Sequence, residues 1–222
     1  MMKTIRDFLA RYAYKNRFFY TMLVKIFCRH TGKAHIVVKG SARLKKDIEG
    51  KDHSVLVSEG CFLEDAVIRI RGERNSLVFG EKCMVGPGCS FWMEGNDISV
   101  VVGAGTTFTR NVQINAQEDG SHIEIGEDCM FSNHIIVRTS DSHPIYSLET
   151  GARLNPPQDV KIGDHVWIAP DVKIMKGACI GSGSVIGSNT MVSGEVPENV
   201  LAVGYPAKVV KEKIRWSREE LF

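Results

Sequence analysis

VKIGDHVWIAPDVKIMKGACIGSGSVIGSNTMVSG, residues 160–194, repeats itself every six positions. Starting at Ile162, an aliphatic residue returns at Ile168, Ile174, Ile180, Ile186 and Val192 without a miss. The position two before each anchor is small or β-branched: Val160, Val166, Val172, Ala178, Ser184 and Thr190. A helix repeats at about 3.6 residues and a half-buried strand at about 2, so neither explains this period. A chain that makes one short flat strand and one corner per hexad does. Stacked coils of that kind form a parallel β-helix.

Upstream the same register is present but interrupted. Hexads at Phe79, Val85 and Phe91 resume at Val102, Phe108 and Ile114, then at Ile125, Phe131 and Val137. Phe79 to Val102 and Val102 to Ile125 each span 23 residues, against 18 for three hexads. The extra residues, near 94–97 and 117–120, are expected to bulge from one corner as loops, where a rigid scaffold usually carries its function. The largest break follows Val137. Its next anchor is due at 143, yet the pattern restarts only at Ile162. The segment 138–159 reads RTSDSHPIYSLETGARLNPPQD, and an interruption of this length in a folded domain is functional or disordered.

The 222 residues suit one repeat domain with appendages. Three parts are expected: a basic helical cover over 1–35, a β-helix over 36–204, and a closing segment over 205–222 ending in a helix. Ile5, Phe8, Leu9 and Tyr12, then Phe19, Met22, Leu23, Ile26 and Phe27, place apolar residues at helical spacing in two short runs. Residues 1–35 hold eight Lys/Arg and one acid, whereas the rest hold 20 basic and 25 acidic residues. Such a leader either caps the first coil or touches an anionic membrane surface, and the acidic body argues against a nucleic-acid partner. No run of about 18 apolar residues suggests a spanning helix, and no secretory cleavage pattern is present. Of the six cysteines, Cys83, Cys89 and Cys129 fall on the small inward position, so they read as core filler in a reducing, cytoplasmic compartment. His122, His134 and His165 fall on different corners and His30, His35 and His53 precede the clear hexads, so no metal site is expected.

Taken together, the hexads, the loop SDSHPIY, the corner GDHVWIAPDVKI and the ending VGYPAKVVK resemble the hexapeptide-repeat acyltransferases. Within them the likeness is greatest to bacterial O-acetyltransferases of sugars, including those modifying capsule or lipopolysaccharide. It covers roughly residues 77–211. The resemblance implies a mainly β, left-handed parallel β-helix, a homotrimer, and acetyl-CoA lying in a groove between neighbouring subunits. It also implies that His143, the loop His before Pro144, is the catalytic base. An imidazole titrating near neutrality can take the proton of a sugar hydroxyl as that oxygen attacks the thioester. Asp141 is a candidate to orient it, although a backbone carbonyl serves as well.

Trp167 precedes an inward anchor and so faces outward; in similar enzymes this indole lies beside the thiol end of CoA. Ala169, Ser188 and Ser193 match positions along the pantetheine arm, and Lys208 and Lys211 match basic positions that meet the phosphates. Gln113 and Asn115, one coil before the loop, are candidates to contact the acceptor or the oxyanion, for which a corner N–H is the alternative. Tyr146, Arg153, Asn155 and Trp92 are further candidate acceptor contacts. The expected activity is direct transfer of acetyl from acetyl-CoA to a carbohydrate hydroxyl, with no acyl-enzyme. Acetylation of a small molecule, such as a free sugar, an amino sugar or an antibiotic, is the second reading. A non-catalytic scaffold is the third, and the presence of both the loop His and the PAK ending argues against it.

Overall fold

A short strand that must turn after every hexad can bury its aliphatic anchor only by closing on itself, three sides to a coil. The computed structural model describes residues 34–221, and they form such a prism, a left-handed β-helix. Face one stacks β1 (His35–Val38), β3 (Ser54–Val57), β5 (Ser76–Phe79), β8 (Ser99–Val102), β11 (His122–Ile125), β14 (Val160–Ile162), β17 (Cys179–Ile180) and β20 (Glu195–Val196), all parallel. Face two carries the later parts of β2 (Ser41–Lys51) and β4 (Phe62–Glu73), then β7 (Ser90–Glu94), β10 (Gln113–Gln117), β13 (Ile136–Arg138), β16 (Lys173–Ile174) and β19 (Met191–Val192). Face three runs from the start of β4 through β6 (Met84–Val85), β9 (Thr107–Arg110), β12 (Met130–Asn133), β15 (Trp167–Ile168), β18 (Val185–Ile186) and β21 (Val200–Val203) to β22 (Lys208–Glu212). Strand β4 bends round the corner, pairing with β6 through Phe62–Leu63 and with β7 through Val67–Arg71.

The anchors fill the axis. Ile162, Ile168, Ile174, Ile180, Ile186 and Val192 are all buried, and Phe79, Phe91, Phe108 and Phe131 stack with successive ring centroids 4.8, 5.8 and 4.7 Å apart. The small position has a second use. Cys61, Cys83 and Cys129 direct their thiols to the carbonyls of Gly80, Gly103 and Gly163 at 2.9–3.1 Å, and the Thr106 hydroxyl donates to Gly126 in the same manner. A Cys, Ser or Thr here fits the bend and satisfies a carbonyl of the next coil, so the buried polar atom is not stranded.

Two expectations change. The extra residues of the 23-residue coils do not bulge. They lengthen face two, where Val67–Arg71, Ser90–Glu94 and Gln113–Gln117 pair residue for residue, and they complete a stacked corner. Asn75 holds that corner, donating to the Arg71 and Gly95 carbonyls and accepting from the Ile98 N–H. Gly72, at φ 109°, is required there, because a Cβ would lie 2.0 Å from the Gly95 carbonyl oxygen. The expected C-terminal helix is absent as well. Residues 208–212 instead form β22, antiparallel to β21, and 213–221 continue without helix. An unpaired β21 would leave an open edge, and covering it outweighs the helix propensity of a Lys- and Glu-rich run. The hydrogen-bonded sheet therefore runs past residue 204. The expected N-terminal helices lie outside the described residues.

Candidate active site

The 139–159 excursion leaves face two after β13 and returns to face one at β14, so it stands on the edge between those faces. Its root is buried: Thr139 and Ser140 have no exposed surface. The Thr139 hydroxyl donates to the Gln117 carbonyl and accepts from the Gln117 N–H, which fastens the root to the coil above. The arm then folds back on itself. Tyr146 bridges Arg153, and the Leu154 N–H donates to the Ile145 carbonyl at 2.8 Å, with a turn between them. Despite its composition, the segment is an ordered hairpin.

Two carboxylates clamp the arm to the prism. Glu118, from the preceding coil, receives Arg153 in a fork at 2.6 and 2.8 Å and also the Ser140 hydroxyl. Asp141 receives the Lys176 ammonium at 2.6 Å and the Asn155 amide at 2.9 Å. Each carboxyl is held below its ordinary range, Glu118 chiefly by the Arg153 hydrogen bonds and Asp141 chiefly by Lys176, then Asn155. Asn155 is the keystone. Its Nδ2 donates to Asp141 and to the His143 carbonyl, and its Oδ1 accepts from the Ile145 N–H at 2.6 Å.

His143 is exposed, and its backbone is gripped on both sides. The carbonyl accepts from Asn155, and Ser142 before it is left-handed at φ 67°, held by its N–H donating to the Ser140 hydroxyl. Positive φ alone is not diagnostic in this fold, since corner residues such as Asp128, His134 and His165 share it. What distinguishes Ser142 is its place, next to a His whose imidazole makes no hydrogen bond among the described residues. The ring is thus presented to solvent on a fixed backbone.

The other candidates divide among faces and edges. Asp141 is not placed on the His143 ring; Lys176 draws its carboxylate to the prism, and it acts on His143 through Asn155. Asn155 and Arg153 are spent as braces, because every amide donor of Asn155 and each guanidinium nitrogen of Arg153 is engaged within the arm or on Glu118. Tyr146 is exposed on the arm. Trp92 and Asn115 stack on face two beside Arg138, in register across β7, β10 and β13, with Gln113 two residues from Asn115 on the same strand. The Arg69 guanidinium covers the Trp92 ring at 5.3 Å.

Trp167 lies on face three. Ala169 and Ser188 lie on the edge between faces three and two, where the Ala169 N–H donates to the Ile186 carbonyl just before Gly187. Lys208 and Lys211 pair with Val203 and Leu201 beside them. Ser193, by contrast, stands on the edge of the His143 arm. A single chain therefore sets Trp92, Gln113 and Asn115 on face two, bordered by the edge that carries His143, and it sets Trp167, Ala169, Ser188 and the two lysines on face three and its edges. It does not join the two groups.

Sequence reading missed Lys176 and Glu118, the partners of the clamps, and the whole tail contact around Trp216. Lys176 falls on an outward hexad position and Glu118 in an apparent insertion, so neither carried a local signal. Among the described residues, no cluster of three or more His, Cys, Asp or Glu side chains is arranged to hold a metal.

Comparison with known proteins places this geometry. Residues 159–194 match the model of the bacterial transferase hexapeptide, six repeats. The polysialic acid O-acetyltransferase of Neisseria meningitidis is 39% identical over 172 residues, which are 77% of this chain and 78% of that protein. The chain belongs to the hexapeptide-repeat transferase family. It is an acyltransferase of that family, and its similarity to solved members extends over most of the prism. The crystal structure of the polySia-specific acetyltransferase NeuO superimposes with a TM-score of 0.64 at 26% identity, covering 86% of this chain and 84% of that one. The polysialic acid O-acetyltransferase OatWY gives 0.57 at 28% identity, over 80% and 92%.

Proposed function

We propose that this transferase moves an acetyl group from acetyl-CoA to a hydroxyl of a capsular or lipopolysaccharide-type glycan. The observation that carries the reading is His143, a solvent-facing imidazole on a backbone fixed by Asn155 and, through it, by Asp141 and Lys176. Fixing the backbone while leaving the ring free suits a general base that must meet an incoming hydroxyl. The base takes the hydroxyl proton as the oxygen attacks the thioester carbonyl, and the proton then goes to the departing thiolate.

Trp167, Ala169, Ser188, Lys208 and Lys211 form the donor side, with Ser193 reaching it from the arm's edge. Trp92, Gln113 and Asn115, beside the arm on face two, form the acceptor side, joined by exposed Tyr146. Because one chain holds donor and acceptor sides apart, the working unit is a homotrimer whose groove joins the arm of one protomer to face three of the next. Polysialic acid is the first acceptor to try, since the relative from Neisseria meningitidis and both solved relatives carry it in their names. We place the enzyme in the cytoplasm, peripheral to the inner membrane through its basic residues 1–35.

The test is acetyl-CoA turnover, read as free thiol, over a panel of polysialic acid, other capsular oligosaccharides, nucleotide sugars and free monosaccharides. Thiol release that depends on one of these glycans and is lost in His143→Ala supports the reading. Full glycan-dependent turnover by His143→Ala overturns the base assignment, and turnover only with free monosaccharides overturns the glycan.

A further inference from the structure

The residues after β22 run back along the edge between faces one and three, where the Ile214 N–H donates to the Asn199 carbonyl. Trp216 is almost wholly buried although it lies six residues from the chain end. Its indole N–H donates to the His165 carbonyl at 2.9 Å, and its ring stacks on the His165 imidazole at 4.1 Å and 9°. The other side faces Trp167, with ring centroids 6.0 Å apart and planes inclined by 45°. Two fastenings hold this wedge. Asp128 engages the His165 Nδ1 at 2.7 Å, and Arg218 donates to the other Asp128 oxygen at 2.7 Å and to the carbonyls of Asp128 and Cys129. Burial pushes the Asp128 carboxyl up, but hydrogen bonds from His165 and Arg218 together outweigh it and hold it below its ordinary value.

Meanwhile the indole N–H of Trp167 is buried and has no hydrogen-bond partner. A donor kept from water without an acceptor is unfavourable, and an outward-facing side chain on a two-residue strand could relieve it by turning toward solvent. Something must hold it. Trp216 is the ring packed against it.

We propose that Trp216 is a positioning residue, a wedge fastened by His165 and Arg218 that holds Trp167 in a fixed orientation for the acyl donor. The inference rests on reading face three as the donor side. The tail thereby serves the reaction without touching either substrate.

The chain has three tryptophans, at 92, 167 and 216, so Trp167 can be watched alone. In a Trp92→Phe background, Trp216→Phe keeps a ring in the wedge and Trp216→Ala removes it. The Ala variant should emit at longer wavelength and be quenched more readily by acrylamide. In assays it should raise the KM for acetyl-CoA on the order of tenfold, the scale of a small misplacement, with the KM for the glycan unchanged. In a Trp167→Phe background the same substitution should add nothing, since a residue acting only through its neighbour is not additive with it. Arg218→Ala in the Trp92→Phe, Trp216→Phe background, which frees the tail but keeps a ring, should shift both readouts the same way and stands in if Trp216→Ala does not fold. Identical Trp167 emission and quenching in the Phe and Ala variants, or full additivity with Trp167→Phe, overturns the wedge. Shifted emission with donor kinetics insensitive to Trp167→Phe overturns the donor-side reading itself.

Discussion

His143 and Lys176 show how an exposed ring and its bracing divide at single residues. The imidazole is left free while three side chains settle where its backbone lies. His143→Ala should therefore lower turnover by about 10²–10⁴-fold, the usual worth of a general base, with an unchanged circular dichroism spectrum. Lys176→Met should lower kcat by on the order of tenfold, because Asp141 then keeps only Asn155 and the carbonyl of His143 is free to drift. Asp141 and Glu118 also set a pH dependence. Their folded pKa values are depressed, so their contribution is complete above the ordinary carboxylate range and is lost as pH falls from there through the lower folded values. The melting temperature of the wild type should exceed that of Asp141→Asn at neutral pH, and the gap should close below about pH 4. A gap that persists in acid would show that Asp141 stabilises by packing rather than by charge.

At the level of elements, the hexad is a packing unit before it is anything else. Ile174→Ala should cost about 2–5 kcal/mol in urea unfolding, because its neighbours above and below are fixed by sheet hydrogen bonds and cannot collapse into the gap. Lys173→Ala, one residue away and outward, should change stability by less than about 0.5 kcal/mol. The hairpin arm is a different kind of element, held by charge at its base and bare at its tip. Ile145, Tyr146, Leu148 and Leu154 are all exposed on it, an apolar surface without cover in one chain.

That bare tip matters for the whole molecule. The proposed donor and acceptor sides stand on different sides of one prism, and the arm carries apolar side chains outward from the edge that holds His143. Light scattering should accordingly give about three times the 24.7 kDa chain mass. Leu148→Glu with Leu154→Glu should shift the population toward monomer and lower turnover in parallel. A fully active monomer would defeat the shared-groove reading.

The coil, its inward residues and the position of the loop that leaves it were all legible in the chain itself. An inward residue every sixth position is a local rule, since each strand and corner is built by its own hexad. A break in that rule marks the place where the chain leaves the coil, and so His143 could be found. The likeness of the SDSHPIY loop and the PAK ending to known acyltransferases supplied the chemistry proposed for it. Contacts between distant segments were not legible. Glu118 meets Arg153 and Asp141 meets Lys176 across 35 residues in each case, and Trp216 meets His165 across 51. No period links such partners; only the stacking of coils brings them within hydrogen-bond reach. For the same reason the hydrogen bonds that make Arg153 and Asn155 braces of the arm carried no signal in the sequence, and a run suited to a helix became the strand that closes the sheet. Hexad spacing sets what each coil buries, while the height of one coil above another decides which outward side chains meet.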